Sequence, residues 1–304
     1  MDKLNCLLVL VDDNSELQPL LEKARTLQNR SSSGELPTEL HILRVIYDPT
    51  LDWHETAANE RQRVINSILD TARQALSHQV FELLDSEVAP AIECTTIWGE
   101  RAWEEALLHA TSVSADLIIK AEQHEPTGIA RVRTPEDWNL LRHSRVPVLL
   151  CGNKDWHEPT AIVVAIDGYD LAHERLNRQL LRTAKSMAQF LSAHIHVVSC
   201  YPAMQPWLVE LGGLDQQTSE HQSLVAALGK TVSKVTAEIG LEDANIHLLE
   251  GKPSKVIADC AQQIGSTLVI VGTHARSGIG AAILGNTAES LIHHLDEDVL
   301  VVSE

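Results

Sequence analysis

The feature that most limits the possible folds is an internal duplication. The apolar run Leu7–Val11 ends in Asp12, and a second apolar run ends in Asp167, 155 residues later. The next apolar runs keep this offset of 155 residues, because His41 matches His196. Ordered self-similarity at a long spacing indicates one structural unit that is present twice.

Later matches in the two halves have a slightly smaller offset. Lys120 matches Gly272 at 152 residues, so we expect a short length difference between the halves. The stretch 152–159 is polar and contains Gly, Asn and Pro, which is typical of a linker. The sequence therefore predicts two domains, residues 1–152 and 159–304, each of a size that can hold its own core.

Each half alternates short apolar runs with helical periods. The runs are rich in β-branched residues and lack polar alternation, which indicates parallel strands that are covered on both faces. Apolar residues between them recur at steps of three and four, from Ile65 to Leu76 and from Leu224 to Ile239. This pattern predicts an α/β class, with two tandem flavodoxin/Rossmann-like doubly wound domains, each built on a five-stranded parallel sheet.

Charge and hydropathy exclude several classes of protein. The chain has 304 residues with 24 Lys and Arg against 42 Asp and Glu, which gives a net charge of −18. Such an acidic chain repels phosphate backbones and anionic lipids, so we expect neither nucleic acid nor membrane as a partner. No apolar run approaches the length of a membrane span or a signal sequence, so we expect a cytoplasmic protein.

The cysteine pattern does not indicate disulfide or zinc sites. The cysteines are five in number, widely spaced and without a CxxC pair. The histidines form no HExxH motif. The sequence therefore predicts reduced thiols in apolar surroundings and no metal site. These cysteines are Cys6, Cys94, Cys151, Cys200 and Cys260.

The second half contains the elements of a phosphate-binding loop. In an open α/β sheet a ligand lies at the carboxyl ends of the strands, where the strand order reverses, so the loops after the first and fourth strands matter most. Asp167 follows the first strand, and the segment from Gly272 to Glu289 follows the fourth. Asn286 and Thr287 open the last helix, where backbone N–H groups suit an anion. The same pattern is also typical of a turn-rich connection that binds no ligand. Asp167 is likewise a common residue type at a helix N-cap.

These residues resemble those of the universal stress protein family. That family carries an aspartate after its first strand and G-x2-G-x9-G-[ST] after its fourth. The resemblance covers both halves and is strongest to tandem, two-domain members, through TPEDWNLLRHSRVPVLL and GNTAESLIHHLDEDVLVV. It implies ATP contacts at Asp167, at the main chain of Cys200 and at the first and last motif glycines, Gly272 and Gly285, with Mg²⁺ only as the counter-ion of ATP.

Two positions depart from the family motif. Ala275 replaces the middle glycine, which costs about 1–2 kcal/mol if the backbone is left-handed there. Asn286 stands where Ser or Thr is usual, although its amide can still bind a phosphate and Thr287 supplies a hydroxyl. Arg276 either pairs with a phosphate or is simply exposed. The resemblance therefore implies a partial ATP site in the second half.

The first half lacks such a motif. Asp12 is present, but Lys120 is aligned with the first glycine, and the following loop contains two glutamates without a glycine cluster. We expect no nucleotide in this half.

No nucleophile–base set or metal set appears in either half, so the sequence predicts a non-enzymatic stress-response protein, with slow ATP hydrolysis left open. Two alternatives remain at this level: a nucleotide-free interaction protein, or a carrier of a small apolar ligand in the first half. The protein partner is unknown. The family pattern implies an internal pseudo-dimer through the last strands of the two halves, 146–150 and 299–302, with a homodimer in addition left open.

Overall fold

The computed structural model describes most of the chain. The described residues are 3–12, 16–31, 37–52, 58–84, 92–122, 135–152, 155–156, 160–203, 219–273 and 286–304. The chain divides into two compact units, one of residues 3–153 and one that contains residues 154–304.

The first unit is a parallel sheet with helices between successive strands. Its strand order is β3-β2-β1-β4-β5. A short 3-10 helix, Pro49–Asp52, follows β2. The elements in chain order are β1 (Cys6–Val11), α1 (Leu17–Ser31), β2 (Glu39–Ile46), α2 (Ala58–Leu83), β3 (Ile92–Trp98), α3 (Ala102–Ser112), β4 (Leu117–Ala121), α4 (Pro135–His143) and β5 (Val148–Cys151).

The second unit repeats this arrangement. Its strand order is β10-β9-β6-β7-β8. A short 3-10 helix, Leu171–His173, precedes α5. The elements are β6 (Ala161–Ala165), α5 (Glu174–Leu191), β7 (His194–Tyr201), α6 (Ser219–Glu238), β8 (Asn245–Glu250), α7 (Pro253–Ile264), β9 (Leu268–Thr273), α8 (Asn286–Ile292) and β10 (Asp298–Ser303).

The predicted fold class is confirmed: both units are α/β, and each contains five parallel strands. The apolar runs become the central strands. All six residues of β1 are buried, as expected for a strand with helices on both faces. Within the described ranges, no helix combines the length and hydropathy that crossing a membrane requires.

The predicted helical faces are the covered faces, with one exception. Ile65 and Leu76 of α2 are buried, as are Leu228 and Val232 of α6. The prediction for Leu224 is wrong, because this side chain is 42% exposed and α6 is covered on that face only from Leu228 onward.

Backbone hydrogen bonds fix how the two units correspond. The Asp116 N–H donates to the Cys6 carbonyl at 2.9 Å, and the Thr267 N–H donates to the Ala161 carbonyl at 3.0 Å. Cys6 and Ala161 are equivalent at the offset of 155 residues that the first strands share. Asp116 is therefore equivalent to Thr267, and the offset in the fourth strands is 151 residues.

This register corrects the alignment of Lys120 with Gly272. Lys120 occupies the place of Val271, and the residue in the place of Gly272 is Ala121. Because successive side chains of a strand point to opposite faces, the Lys120 side chain lies on the face opposite to the one that Gly272 leaves open. The aligned apolar runs allow a shift of one residue, whereas the hydrogen-bonded ladder does not.

Candidate functional site

The second unit has a switch point between β6 and β9. These strands pair in parallel, yet the chain proceeds from β6 outward through β7 and β8 on one side, while β9 and β10 lie on the other. A crevice at the carboxyl ends of such strands is the usual ligand position in this class of sheet. Asp167 follows β6 and Thr273 ends β9, so the two segments that the sequence singled out begin at the same edge of the sheet.

The backbone of Asp167 is held by a buried amide. Asn177 of α5 accepts a hydrogen bond from the Asp167 N–H at 3.0 Å and donates one to the Asp167 carbonyl at 2.6 Å. Asn177 is 6% exposed. The amide thereby fixes the turn between β6 and α5 and defines the position of the aspartate.

The Asp167 carboxylate already has three partners. Its Oδ1 accepts hydrogen bonds from the Tyr169 and Asp170 N–H groups at 3.0 and 3.1 Å, and its Oδ2 lies 2.8 Å from Nδ1 of His173. Asp167 is therefore a turn residue that accepts hydrogen bonds from the following backbone, and not the helix N-cap that the sequence left open, because the N-cap of α5 is His173. An ionised carboxylate has about four acceptor sites, and this side chain is 44% exposed, so one further donor can be accommodated.

Cys200 lies near the end of β7, the strand next to β6. The Val198 carbonyl accepts a hydrogen bond from the Ile166 N–H, so the backbone polar groups of Val198 face β6. Because these groups alternate in direction along a strand, those of Cys200, two residues later, face the same side. The last residue of β6 is Ala165, so this main-chain segment extends beyond the paired part of β6.

The thiol of Cys200 is half-buried. Burial, followed by Cys260 and Asp167, raises its pKa to about 12, so the thiol is protonated at neutral pH.

Gly272 has a packing role in the described structure. A Cβ at this position would lie 2.6 Å from Cδ2 of Leu176, a buried residue of α5. The absence of a side chain thus allows α5 to lie close to β9. The sequence-based expectation was that this glycine lets a ligand approach the backbone; the space above it contains the Leu176 side chain instead.

Thr273 is a polar group at the crevice that the sequence analysis did not single out. It is 2% exposed, and its Oγ1 has no hydrogen-bond partner among the described residues. A threonine next to a motif glycine carries no sequence signal of its own, because threonine is common in strands.

The remaining predicted contacts fall mostly in the loop after β9. Ala275, Arg276 and Gly285 lie outside the described residues. Asn286 and Thr287 are the first two residues of α8, and only their backbone is described.

The corresponding place in the first unit contains an internal ion cluster. Nζ of Lys120 lies 3.1 Å from Oδ2 of Asp12 and 2.8 Å from Oδ1 of Asp137, and it donates a hydrogen bond to the Ala121 carbonyl at 3.2 Å. The side chains of Lys120 and Asp137 are 4% and 0% exposed. Asp12, the counterpart of Asp167, therefore has a built-in cation as its partner, and Val271 takes the place of Lys120 in the second unit.

The cavity described in the first unit does not suit an apolar ligand. It measures about 460 Å³ and is bordered by α2 and β3. Charged side chains, Asp70, Arg73 and Glu93, contribute to its lining. This cavity therefore offers no support for the apolar-carrier alternative.

Comparisons with known proteins agree with the duplicated fold. The model of the "Universal stress protein family" matches residues 5–152 and again residues 160–303. Universal stress protein E homolog of Haemophilus influenzae is 28% identical over 305 residues, covering 98% of this chain and 97% of the relative. Universal stress protein E of Escherichia coli K12 is 29% identical, covering 97% and 93% of the two chains.

A solved structure shares the fold over the whole chain. A universal stress protein from Pseudomonas aeruginosa superposes with a TM-score of 0.70 at 22% identity, covering 99% of this chain and 93% of that one. The chain is therefore a member of the universal stress protein family, with two tandem family domains and homology to universal stress protein E over nearly its full length.

Proposed function

We propose that this chain is a non-catalytic stress-response protein whose second unit binds ATP or a related adenine nucleotide. The observation that carries the proposal is the position of Asp167 at the β6–β9 switch point, held by Asn177, with one acceptor site left on an exposed carboxylate. A ribose hydroxyl is the donor that this site would take.

The other contacts follow from the neighbouring strands and the family resemblance. The main chain of Cys200, directed past the end of β6, would face the adenine base. The phosphates would lie against the loop that begins after Thr273. The buried hydroxyl of Thr273 has no partner among the described residues and would donate a hydrogen bond to the phosphates. Gly285, Asn286 and Thr287 are the motif residues proposed for the phosphates, with Arg276 as a further cation and Ala275 in place of the middle glycine.

The carboxylate environment supports binding without turnover. Phosphoryl transfer needs a carboxylate that holds Mg²⁺ and a positioned nucleophile. Both oxygens of Asp167 already accept hydrogen bonds from the turn that follows, which disfavours a role as a metal ligand. We therefore expect Mg²⁺ to accompany ATP only as its counter-ion.

The first unit is proposed to be a structural partner without nucleotide. Asp12 is paired with Lys120, and a ribose hydroxyl would have to compete with a charged amine for the same carboxylate.

The experiment is a calorimetric titration of the full chain with Mg·ATP. The test variant is Asp167→Asn, which keeps an acceptor for the turn but removes the charge, and the matched control is Asp170→Asn, three residues away in the same turn. We expect saturable binding that Asp167→Asn weakens at least several-fold and Asp170→Asn leaves nearly unchanged. Equal affinity of the two variants would place the nucleotide elsewhere.

A nucleotide-free interaction protein is the second candidate. Two contacts favour it. The Asp167 carboxylate accepts the hydrogen bonds that a purely structural turn requires. The Leu176 side chain also fills the space over Gly272, as in ordinary core packing. Absence of any heat of binding with ATP, together with an intact fold, would support this candidate.

A further inference from the structure

A second group of chemically active side chains lies in the first unit, at the amino ends of its strands. Cys6 Sγ, a carboxylate oxygen of Glu39 and a ring nitrogen of His41 all lie within 4.8 Å of one another. The crevice discussed above lies at the carboxyl ends of the strands, so this group is separate from it.

Strand register explains why these side chains meet. Cys6 of β1 lies beside Glu39 of β2, and His41 lies beside Glu93 of β3. Glu39 and His41 are two residues apart in one strand, so all four side chains project from the same face of the sheet. The cluster is therefore a consequence of the regular pleat.

His41 is buried but lacks a full set of partners. It is 8% exposed, and its Nδ1 has no hydrogen-bond partner among the described residues. Nε2 lies 3.5 Å from Oε2 of Glu39, and Nδ1 lies 3.4 Å from Oε2 of Glu93. One ring nitrogen thus faces each carboxylate: Nε2 makes a long hydrogen bond with Glu39, and Nδ1 lies close to Glu93.

We propose that Cys6, Glu39 and His41 bind a divalent cation of the zinc class. A thiolate, an imidazole and a carboxylate together select Zn²⁺ rather than Mg²⁺ or Ca²⁺, which prefer oxygen ligands. Nε2 of His41 is the ligating nitrogen, and Glu93 accepts a hydrogen bond from Nδ1–H, which orients the ring. A water molecule completes the four-coordinate shell.

The arrangement requires only a small contraction. Ligand atoms of a tetrahedral zinc site are roughly 3.3–3.8 Å apart. The three candidate ligand atoms of Cys6, Glu39 and His41 lie within 4.8 Å of one another, so they have to approach each other only slightly. The Glu39 side chain is 71% exposed, so it can move toward the buried Cys6 and His41. Coordination would replace the thiol proton of Cys6.

The second unit provides an internal comparison. The places of Cys6, Glu39, His41 and Glu93 are taken there by Ala161, His194, His196 and Asn245. This set has neither a thiolate nor a carboxylate, and His196 instead lies 3.0 Å from Nε2 of His247 in a stacked pair. We therefore assign the metal site to the first unit alone.

The experiment is a titration of the metal-free full chain with Co²⁺, a spectroscopic substitute for Zn²⁺, followed by competition with Zn²⁺. We expect one Co²⁺ per chain and an absorption band from thiolate-to-cobalt charge transfer, which Zn²⁺ abolishes. Cys6→Ser and His41→Gln should remove the band. Glu39→Gln, a change at an exposed side chain, should weaken Co²⁺ binding at least tenfold, and Glu93→Gln about tenfold.

Two matched controls separate this site from adventitious binding by histidines. His196→Gln alters the equivalent position of the second unit, and Cys94→Ser alters a cysteine on β3 next to Glu93; neither should change the band. Circular dichroism of every variant verifies that it is folded, and Glu39→Gln keeps the test decisive if a buried variant does not fold. Metal binding without a thiolate band, or with unchanged affinity in Glu39→Gln, would overturn the proposal.

Discussion

Nζ of Lys120 lies 2.8 Å from Oδ1 of Asp137, a carboxylate with no solvent exposure. Removing one member of a buried ion pair leaves the other without compensation, which typically costs about 3–5 kcal/mol. We therefore expect Lys120→Met to lower the free energy of unfolding of the first unit by roughly that amount. Hydrogen exchange of the β1 and β4 amides measures this unit separately from the second.

The surface variant Lys3→Met is the control for that change, since Lys3 is exposed. A double variant, Lys120→Met with Asp137→Leu, should recover much of the loss, because an apolar pair of similar volume replaces a buried ion pair at little cost. Exchange rates in Lys120→Met equal to those of Lys3→Met would show that the cluster does not stabilise the unit.

Gly272 and Leu176 should be coupled energetically. Gly272→Ala places a methyl group 2.6 Å from Cδ2 of Leu176, and overpacking of this kind costs about 1–3 kcal/mol. We expect Leu176→Ala to make the glycine substitution nearly neutral, so the two effects should not add. A double-mutant cycle in urea measures this coupling. Strict additivity would contradict the contact.

Stability of the second unit should fall as the solution becomes acidic. Burial first, and then His247 and His194, lower the pKa of His196. The unfolded chain therefore binds this proton more readily, so the contribution of neutral His196 is present above about pH 6.5 and is lost as the pH falls below it.

The measurement for that prediction is the pH dependence of the urea midpoint between about pH 7.5 and about pH 5.5. His196→Gln should show a shallower loss than the parent chain. His78→Gln, which changes a histidine with a side chain 72% exposed, should retain the parental slope. A parental slope in His196→Gln would contradict the prediction.

The Asn177 amide should stabilise the turn after β6. Asn177→Ala leaves the N–H and carbonyl of Asp167 without this partner, which we expect to cost about 1–3 kcal/mol. Asn66→Ala is the matched control, because Asn66 is exposed and accepts one hydrogen bond from Gln62. Hydrogen exchange at β6 would report the difference, and unchanged protection in Asn177→Ala would refute this role.

The duplicated architecture could be predicted because apolar runs and helical periods recur in both halves. The switch point of each sheet also followed from the expected strand order, and Asp12 and Asp167 each come after the first strand of a unit, beside that point. The ligand contacts at this point stay a prediction. Pairing between the last strands of the two halves stays a prediction.

Two features could not be obtained from sequence patterns. The match of Lys120 with Gly272 was wrong by one residue, because the apolar runs tolerate a shift that only the hydrogen-bonded register excludes. The group of Cys6 with His41 was missed for a related reason: the residues lie on different strands, and spacing along the chain carries no sign of their contact.

The most direct test of the functional proposal is the number of nucleotides that one chain binds. Native mass spectrometry of the full chain with increasing Mg·ATP measures this number. We predict a single bound nucleotide, for which Asp167→Asn raises the half-saturating Mg·ATP concentration at least several-fold and Asp170→Asn leaves it nearly unchanged. Two nucleotides per chain would contradict the assignment of the first unit as nucleotide-free, and none at saturating ATP would contradict the site in the second.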